Sequence, residues 1–240
     1  HGAPDERRAR MRTVSAIGSA VQRLFRRAAP VQVAAVRSLN GPRRALVTDA
    51  LGEKRHEGAK LDQVDGTTCG SAVLVALATW ADPAELEKLE VRETTPSGIV
   101  DGFAARYDGL QKRVHRQTNR LWPQALGTTP WAFAGWLRKH APGVGRYRVR
   151  FVDDLSGTDV DQVIREIEAA LGARRPVPLL VGAGVPRHYC LALRISDDGT
   201  WRVYEPSSAT VRPLDPAAIR ERRLAPILGF DRLHTAFLPR

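Results

Sequence analysis

The sequence predicts an α+β protein of two lobes, with helices first and an antiparallel sheet after them. Three observations lead there. Apolar residues recur at helical spacing through most of the chain up to about residue 140. From residue 146 onward short runs alternate or stay apolar for five to seven residues, as strands do. The turn-forming triplet Asp197-Asp198-Gly199 then separates two such runs at hairpin distance. Helices segregated from strands along the chain are the mark of an α+β layering.

Taken in order, residues 1–12 are polar and arginine-rich. From Met11 the spacing turns helical, with Val14, Ile17, Val21, Leu24 and Phe25 on one stripe, flanked by Arg12, Arg23, Arg26 and Arg27. A basic amphipathic helix ending before Pro30 is expected, packed on its own domain by that stripe, with a membrane surface or a self-covering pro-segment as the other readings. Residues 38–62 read as loop, broken at Asn40-Gly41-Pro42. The apolar run Ala72–Trp80 after a turn-rich approach predicts a buried helix with Cys69 in its first turn. Further helices are expected over Pro83–Val91, Ile99–Gln117, Thr129 to about His140 (Thr129-Pro130 being a cap followed by the residue best tolerated at the first helical position), and Asp159–Leu171. Strands are expected over Arg146–Val152, Pro176–Val181, Tyr189–Ile195, Trp201–Tyr204 and Ala209–Leu214. The chain divides into a basic arm, 1–59, and a domain, 60–240.

The net charge is +11, but residues 1–60 carry a surplus of +8 and the remaining 180 only +3. Arginine outnumbers lysine 32 to 5, the usage of a GC-rich bacterial coding sequence, so the basicity alone assigns no partner. No apolar run approaches the roughly 20 residues of a membrane-spanning helix. Two cysteines exclude a disulfide framework and cannot complete a four-cysteine zinc site. There is no phosphate-binding loop, since Gly182-Ala183-Gly184 lacks the lysine and the following helix. Without aromatic interleaving or a reading module, the arm's arginines do not make nucleic acid the expected partner. The segment 121–136 gathers Trp122, Trp131, Phe133 and Trp136, expected in the core of the helical lobe rather than along a substrate wall. His56, His115, His140 and His234 read as surface residues.

The chemistry concentrates elsewhere. A thiol becomes a useful nucleophile when a helix N-terminus and a nearby imidazole hold it as thiolate, and Cys69 sits at such a start. Gln63, six residues earlier, offers an amide donor for an oxyanion, with the Cys69 backbone N–H as the second. His188 is expected near the start of a strand and would act as base, while Glu205 across the hairpin would orient its ring. Cys190 falls on the same face as His188, two residues on, and is expected to be a small core residue. Each of these has a plainer reading: Cys69 as a buried structural thiol, His188 as a half-buried strand residue, Glu205 as a solvated hairpin end. A Cys69–Cys190 disulfide or a zinc ion on Cys69, His188 and Cys190 is the weaker alternative.

Gln63…Cys69-Gly70-Ser71-Ala72, Arg187-His188-Tyr189 and Tyr204-Glu205-Pro206 together resemble the papain-like cysteine peptidases, closest to the branch that processes double-glycine leader peptides in bacteria. The likeness spans about residues 60–215. It implies a papain-like two-lobed fold and peptide-bond hydrolysis with Cys69, His188, Glu205 and Gln63 as the catalytic set, and neither metal nor organic cofactor. It also implies a peptide or protein substrate and leaves room for an inhibitory or immunity partner. Glu205 stands where the family carries aspartate or asparagine, and residues 1–59 have no counterpart. The same machinery serves acyl transfer or deamidation, and a non-catalytic peptidase-like binding module is the other class. With no signal-peptide pattern, a cytoplasmic protein or a bacterial effector or toxin domain exported by a non-classical route is the expected setting.

Overall fold

A seven-stranded antiparallel sheet, covered by helices on both faces, organises the protein. The computed structural model describes residues 13–25, 45–91, 102–119 and 128–240. Its elements in chain order begin with α1 (Val14–Phe25), β1 (Gly52–Glu53), β2 (Arg55–His56) and β3 (Ala59–Lys60). The helices α2 (Cys69–Ala81), α3 (Pro83–Glu90), α4 (Phe103–Thr118) and α5 (Pro130–His140) follow. Then come β4 (Tyr147–Phe151), α6 (Gly157–Gly172), β5 (Val177–Gly182), β6 (Pro186–Ile195), β7 (Trp201–Glu205) and β8 (Thr210–Leu214). Two single-turn helices, α7 (Ala217–Arg220) and α8 (Ala225–Leu228), lead to β9 (Arg232–Pro239). The sheet order is β1-β8-β7-β6-β5-β9-β4, and β2 and β3 form a separate ribbon.

The expected α+β layering is therefore present, and the antiparallel sheet lies where the alternating runs predicted it. On one face Leu180, Tyr189, Leu191, Tyr204 and Phe237 pack against α2, α4 and α5. On the other, Leu179, Cys190, Trp201, Val203 and Leu238 pack against α6. The local signals explain the helix starts. Asp82 accepts from the Ala84 N–H at 3.0 Å, and Thr129 from the Ala132 N–H at 3.2 Å, each just before a proline. Ser156 does the same for α6, through the Asp159 N–H.

Several expectations change. The loop 38–62 contains β1, β2 and β3 in its described part; strands of two residues are too short to leave a periodic trace. The strand Arg232–Pro239, unforeseen, runs between β5 and the edge strand β4. His234 on it has no exposed surface, and His115 is buried on α4, so neither is a surface residue. Trp131 is exposed rather than in the core, because it occupies the outer face of the first turn of α5. The helix of the arm exists, but Val14, Ile17 and Val21 of its apolar stripe are exposed rather than packed in the core. The predicted starts at Met11 and Ile99, and Trp122, lie outside the described residues.

Candidate active site

Cys69 is the first residue of α2, a helix in which Cys69 through Trp80 are all buried. An apolar helix of this kind is fixed by packing on all sides, so its N-terminus is a rigid mount. The approach loop is braced by its own short side chains: the Thr68 hydroxyl accepts from the Asp65 N–H at 3.0 Å, and Asp65 accepts from the backbone and hydroxyl of Thr67 at 2.8 and 2.7 Å. Gly70 lets the helix start come close to β6 and to the segment just before α5. A Cβ there would stand 3.2 Å from the Thr128 side chain and 3.3 Å from the Tyr189 ring. The unpaired N–H groups of a first helical turn carry partial positive charge, which favours an anion at this end. Thr68 supplies no side-chain cap to quench it.

His188 is the third residue of β6, a little inside the strand rather than at its opening. Glu205 ends β7, and the two side chains meet across the sheet, with Nε2 of His188 2.7 Å from Oε1 of Glu205. The thiols of Cys190 and Cys69 both lie close enough to this imidazole to act on its charge. The carboxylate is itself held by the turn that follows it. Ser207 N–H donates to Oε1 at 2.8 Å and Ser208 N–H to Oε2 at 3.0 Å, and both serine hydroxyls add a further bond, that of Ser208 at 2.6 Å.

These contacts decide the charges. Burial alone would raise the Glu205 carboxyl, but the bonds from His188, Ser207 and Ser208 outweigh it and hold the group well below the usual carboxylate range. For His188 burial opposes the cation, while Cys190, Cys69 and Glu205 favour it, and the outcome is a ring far above the ordinary histidine range. Cys190 is fully enclosed and its thiol is pushed up by burial, so at neutral pH the lasting negative charge facing His188 is that of Glu205. Both cysteines are free thiols.

Gln63 is brought to the same place. Its backbone N–H donates to the Pro206 carbonyl at 2.9 Å, tying the loop before α2 to the turn after Glu205. Its side-chain nitrogen donates to the Asp65 carbonyl at 2.6 Å, which uses one of its two amide protons. All four residues singled out in the sequence thus converge. Sequence reasoning missed Ser207 and Ser208; the only trace of them was a pair of small hydroxyl residues directly after an acid and a proline.

Gln63, Cys69, His188 and Ser207 lie along one groove of about 1620 Å³, whose far wall is formed by α1 and the start of α5. Among the described residues no helix is long and apolar enough to cross a membrane. Comparison with protein-family models, with curated proteins and with solved structures found no match.

Proposed function

We propose that the protein is a cysteine-dependent hydrolase of peptide bonds, built on a papain-like arrangement. The observation that carries this is the ordered line Cys69–His188–Glu205, set at a helix N-terminus and opening on a groove large enough for a polypeptide. A nucleophile helix packed on an antiparallel sheet, with the base on one strand and its orienting acid on the next, also agrees with the motif resemblance.

In this reading His188 already holds the proton given up by Cys69, and the Cys69 sulfur attacks the scissile carbonyl carbon. The oxygen of that carbonyl becomes an oxyanion, bonded by the Cys69 backbone N–H and by the free amide proton of Gln63. The intermediate collapses with cleavage of the C–N bond, and His188 delivers its proton to the departing amine. A water molecule, deprotonated by His188, then attacks the thioester and releases the acid and the thiol. Glu205 keeps the ring in one tautomer and balances the imidazolium, acting through His188. An acceptor amine in place of water would make the same site an acyltransferase.

The test uses two readings on the full chain. Iodoacetamide labelling at Cys69 should be fast and should slow at least tenfold in His188→Ala, while Cys190 stays unlabelled in the folded protein. Cleavage of an unfolded protein such as reduced casein, read by mass spectrometry, should vanish in Cys69→Ala with the melting temperature unchanged. A Cys69 labelled at the rate of a free cysteine, indifferent to His188, would sink the proposal.

A further inference from the structure

The turn between β7 and β8 is short and tightly specified. Glu205 closes β7 and stands opposite Thr210, the first residue of β8, so Pro206 to Ala209 must reverse the chain between them. Ala209 does so with φ of +52°, in the left-handed region that an alanine enters only against steric resistance. Its carbonyl accepts from the Lys54 N–H at 2.7 Å, which helps to hold it there. A backbone kept in such a state marks a place where the surroundings dictate the geometry. What the turn presents is Ser207 and Ser208, with their N–H and hydroxyl groups on the Glu205 carboxylate.

Ser208 is not the end of this chain of bonds. Arg212, two residues beyond Thr210 on the same face of β8, is half-buried and has all three guanidinium nitrogens engaged. Nε donates to Thr210 Oγ1 at 2.9 Å, Nη2 to Ser208 Oγ at 3.1 Å and Nη1 to the Ile227 carbonyl of α8 at 3.0 Å. The two hydroxyl oxygens lie 2.6 Å apart. Counting protons fixes every direction, because a guanidinium only donates and a carboxylate only accepts. The single proton of the Ser208 hydroxyl goes to Oε2 of Glu205 at 2.6 Å, so toward Thr210 this hydroxyl is an acceptor. Thr210, which accepts from Arg212, therefore donates to Ser208. Both lone pairs of the Ser208 oxygen are filled from the Arg212 side, and its proton has nowhere else to turn. A hydroxyl that accepts from a cation and gives to an anion is polarised at both ends, which strengthens the bond it gives.

We propose that Arg212 is a positioning residue of the catalytic centre, acting through Thr210 and Ser208 to hold the Glu205 carboxylate against His188. Arg212 orders the hydroxyls, the hydroxyls order the acid, and the acid orders the imidazole that serves Cys69. The catalytic consequence rests on the peptide-bond reading; the hold on Glu205 does not. A plain brace between β8 and α8 through Ile227 is the competing role, and it predicts a loss of stability and nothing more.

The experiment compares Arg212→Met, Thr210→Val and Thr210→Ser in the full chain. Thr210→Val keeps the shape of the side chain and leaves the Arg212–Ile227 bond in place, so it severs the relay without loosening α8. The first readout is the carbon-13 signal of the Glu205 carboxyl between about pH 3 and 7, followed where circular dichroism reports a folded chain. His188, raised to about 12, and Cys190, whose thiol is pushed up by burial, both keep their protons over that range, so the signal belongs to the acid. Arg212→Met and Thr210→Val should each bring in protonation at higher pH than in the wild type, and Thr210→Ser, which keeps the hydroxyl, should recover most of the shift. The second readout is casein cleavage. Its rate at saturation should fall about fivefold in the first two variants, the scale set by the net worth of one buried hydrogen bond. The casein concentration at half rate should not move. A Glu205 titration unchanged in both Arg212→Met and Thr210→Val would overturn the proposal, whatever the melting temperatures did. So would a Thr210→Ser that behaves like Thr210→Val, or a shifted Glu205 with casein cleavage unaltered. If Arg212→Met fails to fold, Thr210→Val decides alone. An inert Cys69 in the wild type would end the peptidase reading, and a shifted Glu205 in the variants would then still establish the hold of Arg212 on that acid.

Discussion

Two buried histidines in one sheet are set to different protonation states, one toward the cation and the other toward the neutral ring. His188 on β6 and His234 on β9 are both almost without exposed surface. Burial pulls each toward the neutral form, yet His188 is raised and His234 lowered. What differs is the partner set. His188 bonds to a carboxylate and faces two thiols, whereas His234 bonds to the Ser15 hydroxyl and, at 3.0 Å, to the Ala183 carbonyl. Asp154 acts on His234 as well, but its charge is taken up by Arg232, which lies against it. A neutral hydrogen bond satisfies a ring; a full counter-charge is needed to keep it protonated in a place that water barely reaches. The first histidine is equipped for proton transfer, and the second is a structural link between α1 and the loop after β5.

The most forceful way to break this contrast is to remove the counter-charge. Glu205→Gln should bring His188 toward the behaviour of His234, seen as a large fall in its titration midpoint by NMR of the ring protons. Breaking a buried pair costs about 3–5 kcal/mol, and about 2–4 °C is lost per kcal/mol in a domain of this size. Activity should fall with it, by about 10²-fold or more if His188 is the base. A His188 midpoint unmoved by Glu205→Gln would show that the thiols, not the carboxylate, set its charge.

A gentler version weakens the clamp and leaves the acid in place. Ser207→Ala and Ser208→Ala each remove one hydroxyl bond to Glu205 while the backbone bonds remain. About 1–2 kcal/mol per residue is expected, since hydrogen bonds to charged groups are worth somewhat more than neutral ones. The distinguishing readout is the pH profile. The carboxyl of Glu205 should titrate higher and His188 lower in each variant, and more so in the double variant. A loss of stability without either shift would make the serines ordinary turn residues.

Much of this centre was legible in the chain because its cues are local. A cysteine at the head of an apolar run, a histidine near the start of a buried strand and an acid closing the following hairpin can each be read from a window of about ten residues. The orientation of α1 could not be read this way. Its stripe of Val14, Ile17 and Val21 predicted the buried face, but Ser15, Ser19, Gln22 and Arg23 have partners more than a hundred residues away, on β9, α6, β4 and the loop after β4. Those bonds exist only once the sheet has formed, and they outweigh the periodicity. The strand β9 was hidden for a related reason. Arg232, His234 and Thr235 interrupt its apolar residues, and each is buried because a distant partner or the adjoining strands enclose it.

The smallest expected effect sharpens the contrast through pH. A group whose folded pKa is raised adds stability that is fully present below its unfolded value and fades as pH rises through the folded one, which is the case for His188. Glu205, depressed, adds stability that is complete above its unfolded value near 4.5 and is lost as pH falls through the folded one. The pair is therefore worth most between about pH 4.5 and 6.5. His234 runs the other way: the unfolded ring takes up a proton below about 6.5 more readily than the folded one, so this residue costs stability as the solution is acidified. Its replacement by glutamine offers groups to both Ser15 and Ala183 without a titration. His234→Gln should thus lose about 1 kcal/mol at pH 7.5, the scale of one imperfect buried hydrogen bond, and recover part of that loss at pH 5.5. Melting temperatures of the two proteins at both pH values measure it. A gap that widens on acidification would mean that His234 is protonated in the folded state after all, and that Asp154 rather than Ser15 and Ala183 governs it.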